Sequence, residues 1–133
     1  MRVRELMQPD VKTVHLEAPL NEALVTLSDA HISALPVVDG LGRMVGVISS
    51  TDILTSEAEA GDREEREALF EDTQVREIMT PCPLTVPPEA EVREAAQQML
   101  YADVHRLFVT NGERVIGVIS TTDIVRAVAR GQV

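Results

Sequence analysis

Aromatic residues are almost missing from this chain of 133: no tryptophan, one tyrosine and two phenylalanines, 2% of the whole. Single-stranded nucleic acid is held by stacking bases on aromatic rings, so no such platform exists here. Basic residues are scarce as well, 12 Lys and Arg against 22 Asp and Glu, for a formal net charge of −10. Binding to phosphate backbones or anionic membranes needs clustered cations, and the charge balance speaks against both partners. The one cysteine, Cys82, excludes an internal disulfide and fits a reducing compartment. It stands between Pro81 and Pro83 with nothing nearby to generate a thiolate, and reads as inert. No apolar run approaches membrane-spanning length, and Met1-Arg2-Val3-Arg4-Glu5 lacks the apolar stretch of a signal peptide, so a cytoplasmic location is expected.

Catalytic and metal signatures are also lacking. There is no Gly-rich phosphate loop of the Walker or Rossmann kind. His15, His31 and His105 share no ligand spacing with one another or with Cys82, so no metal site is expected. A triad drawn from Ser49, His105 and Asp52 has neither a strained nucleophile turn nor an oxyanion pair. An enzyme is therefore not expected.

What the chain does contain is itself, twice. Val3-Arg4-Glu5-Leu6-Met7-Gln8-Pro9 returns as Val75-Arg76-Glu77-Ile78-Met79-Thr80-Pro81, an offset of 72 residues from Met7 to Met79. The offset holds to Gly40 and Gly112, then becomes 71 from Gly46 to Gly117, because one turn is a residue longer. Slippage confined to a turn keeps the flanking strands in register. The 44% hydrophobic content, nearly all aliphatic, supports a folded core. Two units of about 60 residues would each be marginal alone, so the pair is expected to count as one domain.

Each unit reads the same way. A segment with Met and Pro leads to a short strand, around residues 11–14 and 84–86. A helix with an apolar stripe follows at about residues 20–30 (Ala23, Leu24, Leu27) and 92–102 (Val92, Ala95, Ala96, Met99). Then come hairpins turning at Asp39-Gly40 and Asn111-Gly112, between apolar runs. Last helices are expected from about Ile53 and Ile124. The order is β-α-β-β-α twice, an α+β fold with α/β-like alternation. Between the units, Glu57, Glu59, Asp62, Glu64, Glu65, Glu67, Glu71 and Asp72 are opposed only by Arg63 and Arg66. This reads as the solvated end of a helix and a linker, with helical Glu–Arg pairs.

The densest chemistry lies where each hairpin meets its last helix: Gly46-Val47-Ile48-Ser49-Ser50-Thr51-Asp52-Ile53 and Gly117-Val118-Ile119-Ser120-Thr121-Thr122-Asp123-Ile124. The plain reading makes Thr51 with Asp52, and Thr122 with Asp123, helix caps. The functional reading turns the free amides and hydroxyls to a phosphate and each Asp to ribose hydroxyls. The halves differ just before the hairpin, Ser33-Ala34 in the first and His105-Arg106 in the second. Arg106 either pairs with one of many carboxylates or, with His105, holds a ligand phosphate.

Two β-α-β-β-α units, each opening with Met-x-Pro and ending in Gly-Val-Ile-Ser-x-Thr-Asp-Ile, resemble the tandem cystathionine-β-synthase (CBS) domain pair, or Bateman module. Val104-His105-Arg106-Leu107 and Ser33-Ala34-Leu35-Pro36-Val37-Val38-Asp39 are similar to that family too. The resemblance implies repeats at 1–56 and 75–133 joined by an acidic helical linker at 57–74, packed pseudo-symmetrically through their sheets as one module. It implies a regulatory function without a catalytic domain. An adenosine-containing ligand (AMP, ADP, ATP or S-adenosylmethionine) would bind in clefts between the repeats, and occupancy would be transmitted as repeat or dimer orientation to a regulated protein partner. Asp52 and Asp123 would hold ribose; Ser49, Thr51, Ser120 and Thr122 would meet ribose or phosphate. Ala18 and Pro19 would lie beside Asp123, Ala90 and Glu91 beside Asp52, and His105 and Arg106 would neutralise phosphate in the Asp52 cleft. Ala18 and Ala90 stand where nucleotide-binding members often carry Thr or Ser, which leaves a second expectation: an interaction or structural module with vestigial clefts. A flat homodimer through the helices is also implied.

Overall fold

A duplicated sequence has folded into duplicated elements. The computed structural model describes residues 1–81 and 83–133, so the inert thiol expected at Cys82 lies outside the described residues. In chain order the elements are α1 (Val3–Leu6), β1 (Val14–His15), α2 (Leu20–Ala30), β2 (Ala34–Val38), β3 (Met44–Ser49), α3 (Ser50–Glu59), α4 (Arg63–Asp72) and α5 (Val75–Ile78). They continue with β4 (Thr80–Pro81), β5 (Thr85–Val86), α6 (Val92–Ala102), β6 (Arg106–Asn111), β7 (Arg114–Ser120) and α7 (Thr121–Ala129). The class is α+β, with the expected β-α-β-β-α order in each half.

Helices α2 and α6 cover the stretches predicted from their apolar stripes, and bury Leu20, Ala23 and Leu27, and Val92, Ala95 and Met99. Strand β1 lies at Val14–His15, later than the 11–14 expected, and three further features differ from expectation. Helices α3 and α7 begin three residues early, at Ser50 and Thr121, because Ser49 and Ser120 supply the caps. The acidic segment holds a separate helix, α4, started by Asp62 accepting from the Glu65 amide at 2.9 Å and stitched by Arg63 to Glu67 at 3.2 Å. Strand β4 adds antiparallel to β3, and its Pro81 sits on an edge where a missing N–H breaks no ladder.

The chain packs as two compact units, Lys12–Pro83, and Met1–Val11 with Leu84–Val133. In Lys12–Pro83 the sheet runs β1-β2-β3-β4, with β1 parallel to β2 and the rest antiparallel. Its core gathers Leu20, Leu35, Val37, Ile48, Ile53 and Val75, with Leu69 and Phe70 of α4 laid against it. In the other unit the sheet runs β5-β6-β7 with the same senses, over a core that includes Val3, Val86, Met99, Leu107, Val109 and Ile119.

These units are not the repeats laid end to end. Each Met-x-Pro segment packs in the unit that holds the strands of the other repeat. The Val3 amide donates to the Ala90 carbonyl at 2.8 Å, and the Val75 amide to that of Ala18 at 2.9 Å. The Met7 side chain lies over Gly117 and that of Met79 over Gly46; a Cβ added to either glycine would fall 2.7 Å from sulfur. The glycine opening each Gly-Val-Ile-Ser run thus makes room for a methionine from the partner segment. Two further bonds hold the N-terminal segment, between Gln8 and Val118, at 2.8 and 3.0 Å.

Candidate functional site

Strands β3 and β7 deliver the Ser-x-Thr-Asp motifs to matching corners. Ser49 Oγ accepts from the Asp52 amide at 3.1 Å while Asp52 Oδ2 accepts from the Ser49 amide at 2.9 Å. Ser120 and Asp123 repeat this reciprocal box at 3.2 and 2.8 Å. Ser49 and Ser120 are therefore the caps, and Thr51 and Thr122, read from the sequence as capping residues with the aspartates, stand one place before them as exposed second residues of the helices. The first amide of each helix is also taken: Ser50 donates to the Ser33 carbonyl and Thr121 to that of His105, both at 2.9 Å. Of the first three amides, only those of Thr51 and Thr122 have no acceptor among the described residues. Each corner thus offers one amide, one threonine hydroxyl and one carboxylate, in a register fixed by the cap.

The two carboxylates differ. Asp52 is half-buried, and its Oδ1 has no hydrogen-bond donor among the described residues. Asp123 is 8% exposed, and its Oδ1 takes the Gln8 side-chain amide at 3.3 Å and lies 3.5 Å from Arg126 Nη1. It sits in a cavity of about 270 Å3 whose polar lining includes Glu5, Gln8, Arg126, Arg130 and Gln132. Gln8, Arg126 and Arg130 were not among the expected site residues. The repeat offsets could have found them, since they align with Thr80, Thr55 and Glu59.

His105 and Arg106 occupy, beside the start of α7, the place that Ser33 and Ala34 occupy beside α3. Both side chains are exposed, and Arg106 makes no ion pair among the described residues. Ala18 and Pro19 belong to the unit of Ser49, Thr51 and Asp52; Ala90, Glu91, His105 and Arg106 belong to that of Ser120, Thr122 and Asp123. Ala18 and Ala90 are buried, Pro19 precedes α2, and Glu91 is held by Arg2 at 3.1 Å. Among the described residues no His, Cys, Asp and Glu side chains gather into a metal-holding group, and no helix is long and apolar enough to cross a membrane.

Comparison with known proteins agrees with this architecture. The CBS domain family matches twice, at residues 3–59 and 75–130. A CBS domain-containing protein of Dictyostelium discoideum is 31% identical over 126 residues, covering 92% of this chain and 87% of that one. Other relatives are longer: the chain spans 28% of an uncharacterised Methanocaldococcus jannaschii protein, 24% of a homoserine O-acetyltransferase of Methanohalobium evestigatum and 62% of chloroplastic CBSX2 of Arabidopsis thaliana. Among solved structures, CBSX2 in complex with AMP superposes with a TM-score of 0.82 at 27% identity, covering 99% of this chain and 98% of that one. The CBS domain pair of protein MJ0100, in complex with 5'-methylthioadenosine and S-adenosyl-L-methionine, gives 0.81 at 26% identity and 98% coverage of both. With two family matches, one on each repeat, this chain belongs to the CBS domain family as a CBS domain pair.

Proposed function

We propose that the chain is a regulatory, non-catalytic module that binds an adenosine-containing ligand, AMP, ADP, ATP or S-adenosylmethionine, and passes its occupancy to a partner protein. The observation that carries this reading is the free Oδ1 of Asp52, a carboxylate fixed by its cap yet left with an open acceptor. Ribose hydroxyls are donors of the kind it lacks. The Thr51 amide and hydroxyl beside it are donors for phosphate or ribose. The adenosyl ligands named for CBSX2 and protein MJ0100 favour the same class. Occupancy acts by differential affinity for two conformational populations.

Calorimetric titration with AMP, ADP, ATP and S-adenosylmethionine tests this. At least one should bind, and Asp52→Asn, which keeps the shape of the cap, should weaken it by about tenfold, the loss of roughly one charge-assisted bond. Unaltered affinity in that variant would return Asp52 to a purely structural role. In the same series, Arg106→Ala should cost ATP about 1.5–3 kcal/mol and adenosine much less if the guanidinium meets phosphate.

A homodimer belongs to the same reading. Leu100, Tyr101 and Val125 are 83%, 95% and 65% exposed on α6 and α7, beside an apolar cavity of about 260 Å3 that Met99 and Ile124 help to line. Light scattering should give twice the chain mass; a concentration-independent monomer would refute it. The buried Ala18 and Ala90, which bring no hydroxyl, favour the second reading, an interaction module with vestigial clefts.

A further inference from the structure

The two aspartates have identical caps and unequal outer oxygens, which carries the proposed function one step further and rests on it. We propose that Gln8 and Arg126 form an internal gate on Asp123, so that Asp52 meets a ligand hydroxyl directly while Asp123 does so only once the chain's own donors withdraw.

The gate is built from both ends of its unit. Gln8 is fixed by the paired backbone bonds to Val118 and by Met7 seated on Gly117, which sets its side chain 3.3 Å from Asp123 Oδ1. Arg126, one helical turn beyond Asp123, comes to 3.5 Å from the same oxygen. Thr80 of β4 holds the matching place, opposite Val47 of β3, and Thr55 the matching place on α3. Neither donates to Asp52 among the described residues. The same oxygen is thus satisfied internally in one unit and open in the other. A ligand reaching Asp123 exchanges two protein contacts for its own, so its net gain is smaller. Arg126 is half exposed and the contacts are long, so the gate is a bias and not a block. One long bond from a neutral donor and one exposed ion pair together weaken the Asp123 step by roughly tenfold relative to Asp52.

Exchanging the gate between the units tests this, with AMP as the probe and titration calorimetry of the full chain as the readout. Wild type should bind in two steps about tenfold apart, which Asp52→Asn should bring together by weakening the tighter about tenfold and Asp123→Asn should spread further by weakening the other. The double variant Gln8→Thr/Arg126→Thr should tighten the weaker step by about tenfold, and Gln8→Thr alone, which leaves net charge unchanged, should move it the same way by about threefold. The reverse double variant Thr80→Gln/Thr55→Arg should weaken the tighter step. Two equal steps in wild type, or steps unmoved by the exchange, would overturn the gate and leave nucleotide binding standing. A weaker step that loosens further would also overturn it, because Arg126 would then be a ligand donor. No binding by any variant would overturn nucleotide sensing itself. Binding only after Gln8 and Arg126 are replaced would uphold the gate and refute the direct role of Asp52. Circular dichroism melts of each variant separate these outcomes from unfolding.

Discussion

Helices α3 and α7 leave their strands alike and part within one turn. Their caps have φ of −116° and ψ of 161° and 163°, and each closes the same Ser–Asp box. Beyond that the side chains diverge: Thr55, Glu57 and Glu59 on α3 stand against Arg126 and Val128 on α7 and Arg130 just past its end. The positions that agree are those the backbone requires: the cap, the glycine under a methionine, and the buried Leu35 and Leu107. The divergent Thr55, Glu59, Arg126 and Arg130 are solvent-facing, where substitution costs the fold little. Duplication has preserved a scaffold and left its two corners free to acquire different chemistry.

The comparison breaks most severely at the glycines. Gly46→Ala and Gly117→Ala would press a Cβ to 2.8 and 2.9 Å from the carbonyl oxygens of Thr80 and Gln8, besides the methionine sulfurs. Because backbone must shift, each should lose about 1–3 kcal/mol in urea unfolding, and the two losses should match. A large loss at one glycine alone would show that only one arm is tightly held.

The aspartates should then separate the corners. Asp52→Ala opens one half of the capping box and should cost about 1 kcal/mol. Asp123→Ala opens the matching box and also strands Gln8 and Arg126, and should cost about 0.5–1 kcal/mol more by the same unfolding measurement. Equal losses would mean that the Gln8 and Arg126 contacts carry no net energy.

The smallest expected effect concerns the hairpin turns. The Arg43 amide donating to Asp39, with the Arg43 side chain and the Leu41 amide, holds the Asp39 carboxyl below its usual range, outweighing the opposing effect of burial. Its folded pKa is lowered, so its stabilisation is present above the unfolded carboxylate pKa and is lost as pH falls through the folded value. The matching residue in the other turn is Asn111, which does not titrate. Asp39→Asn should therefore lower the melting temperature slightly near neutrality, flatten the acid limb and converge on the wild type at low pH. An unchanged acid limb would show that the turn makes no titratable contribution.

Much of this architecture was legible in the sequence, and the misses have physical reasons. The stripes of Ala23 and Leu27, and of Ala95 and Met99, announced α2 and α6 because those faces are buried. The starts of α3 and α7 came three residues early because apolar periodicity begins only at Ile53 and Ile124, whereas the cap lies outside the stripe. Strand β4 was hidden by Pro81, which argues against a strand anywhere but an edge. The motifs carrying Asp52 and Asp123 stood out because they recur. Their inequality did not, since Gln8 lies 115 residues from Asp123 and no local pattern encodes that contact.

The exchanged Met-x-Pro arms also impose an order in time. During synthesis Lys12–Pro83 has every one of its strands and its own arm once Pro83 has emerged, so this unit can close while translation continues. Met1–Val11 must wait, with Val3 and Met7 uncovered, until β6 and β7 follow about a hundred residues later. At about 5–20 residues per second that wait lasts several seconds. This arm is thus buried well after it is made, and an apolar arm without its glycine seat is the stage at which a nascent chain is most open to capture by a chaperone or by a neighbouring copy.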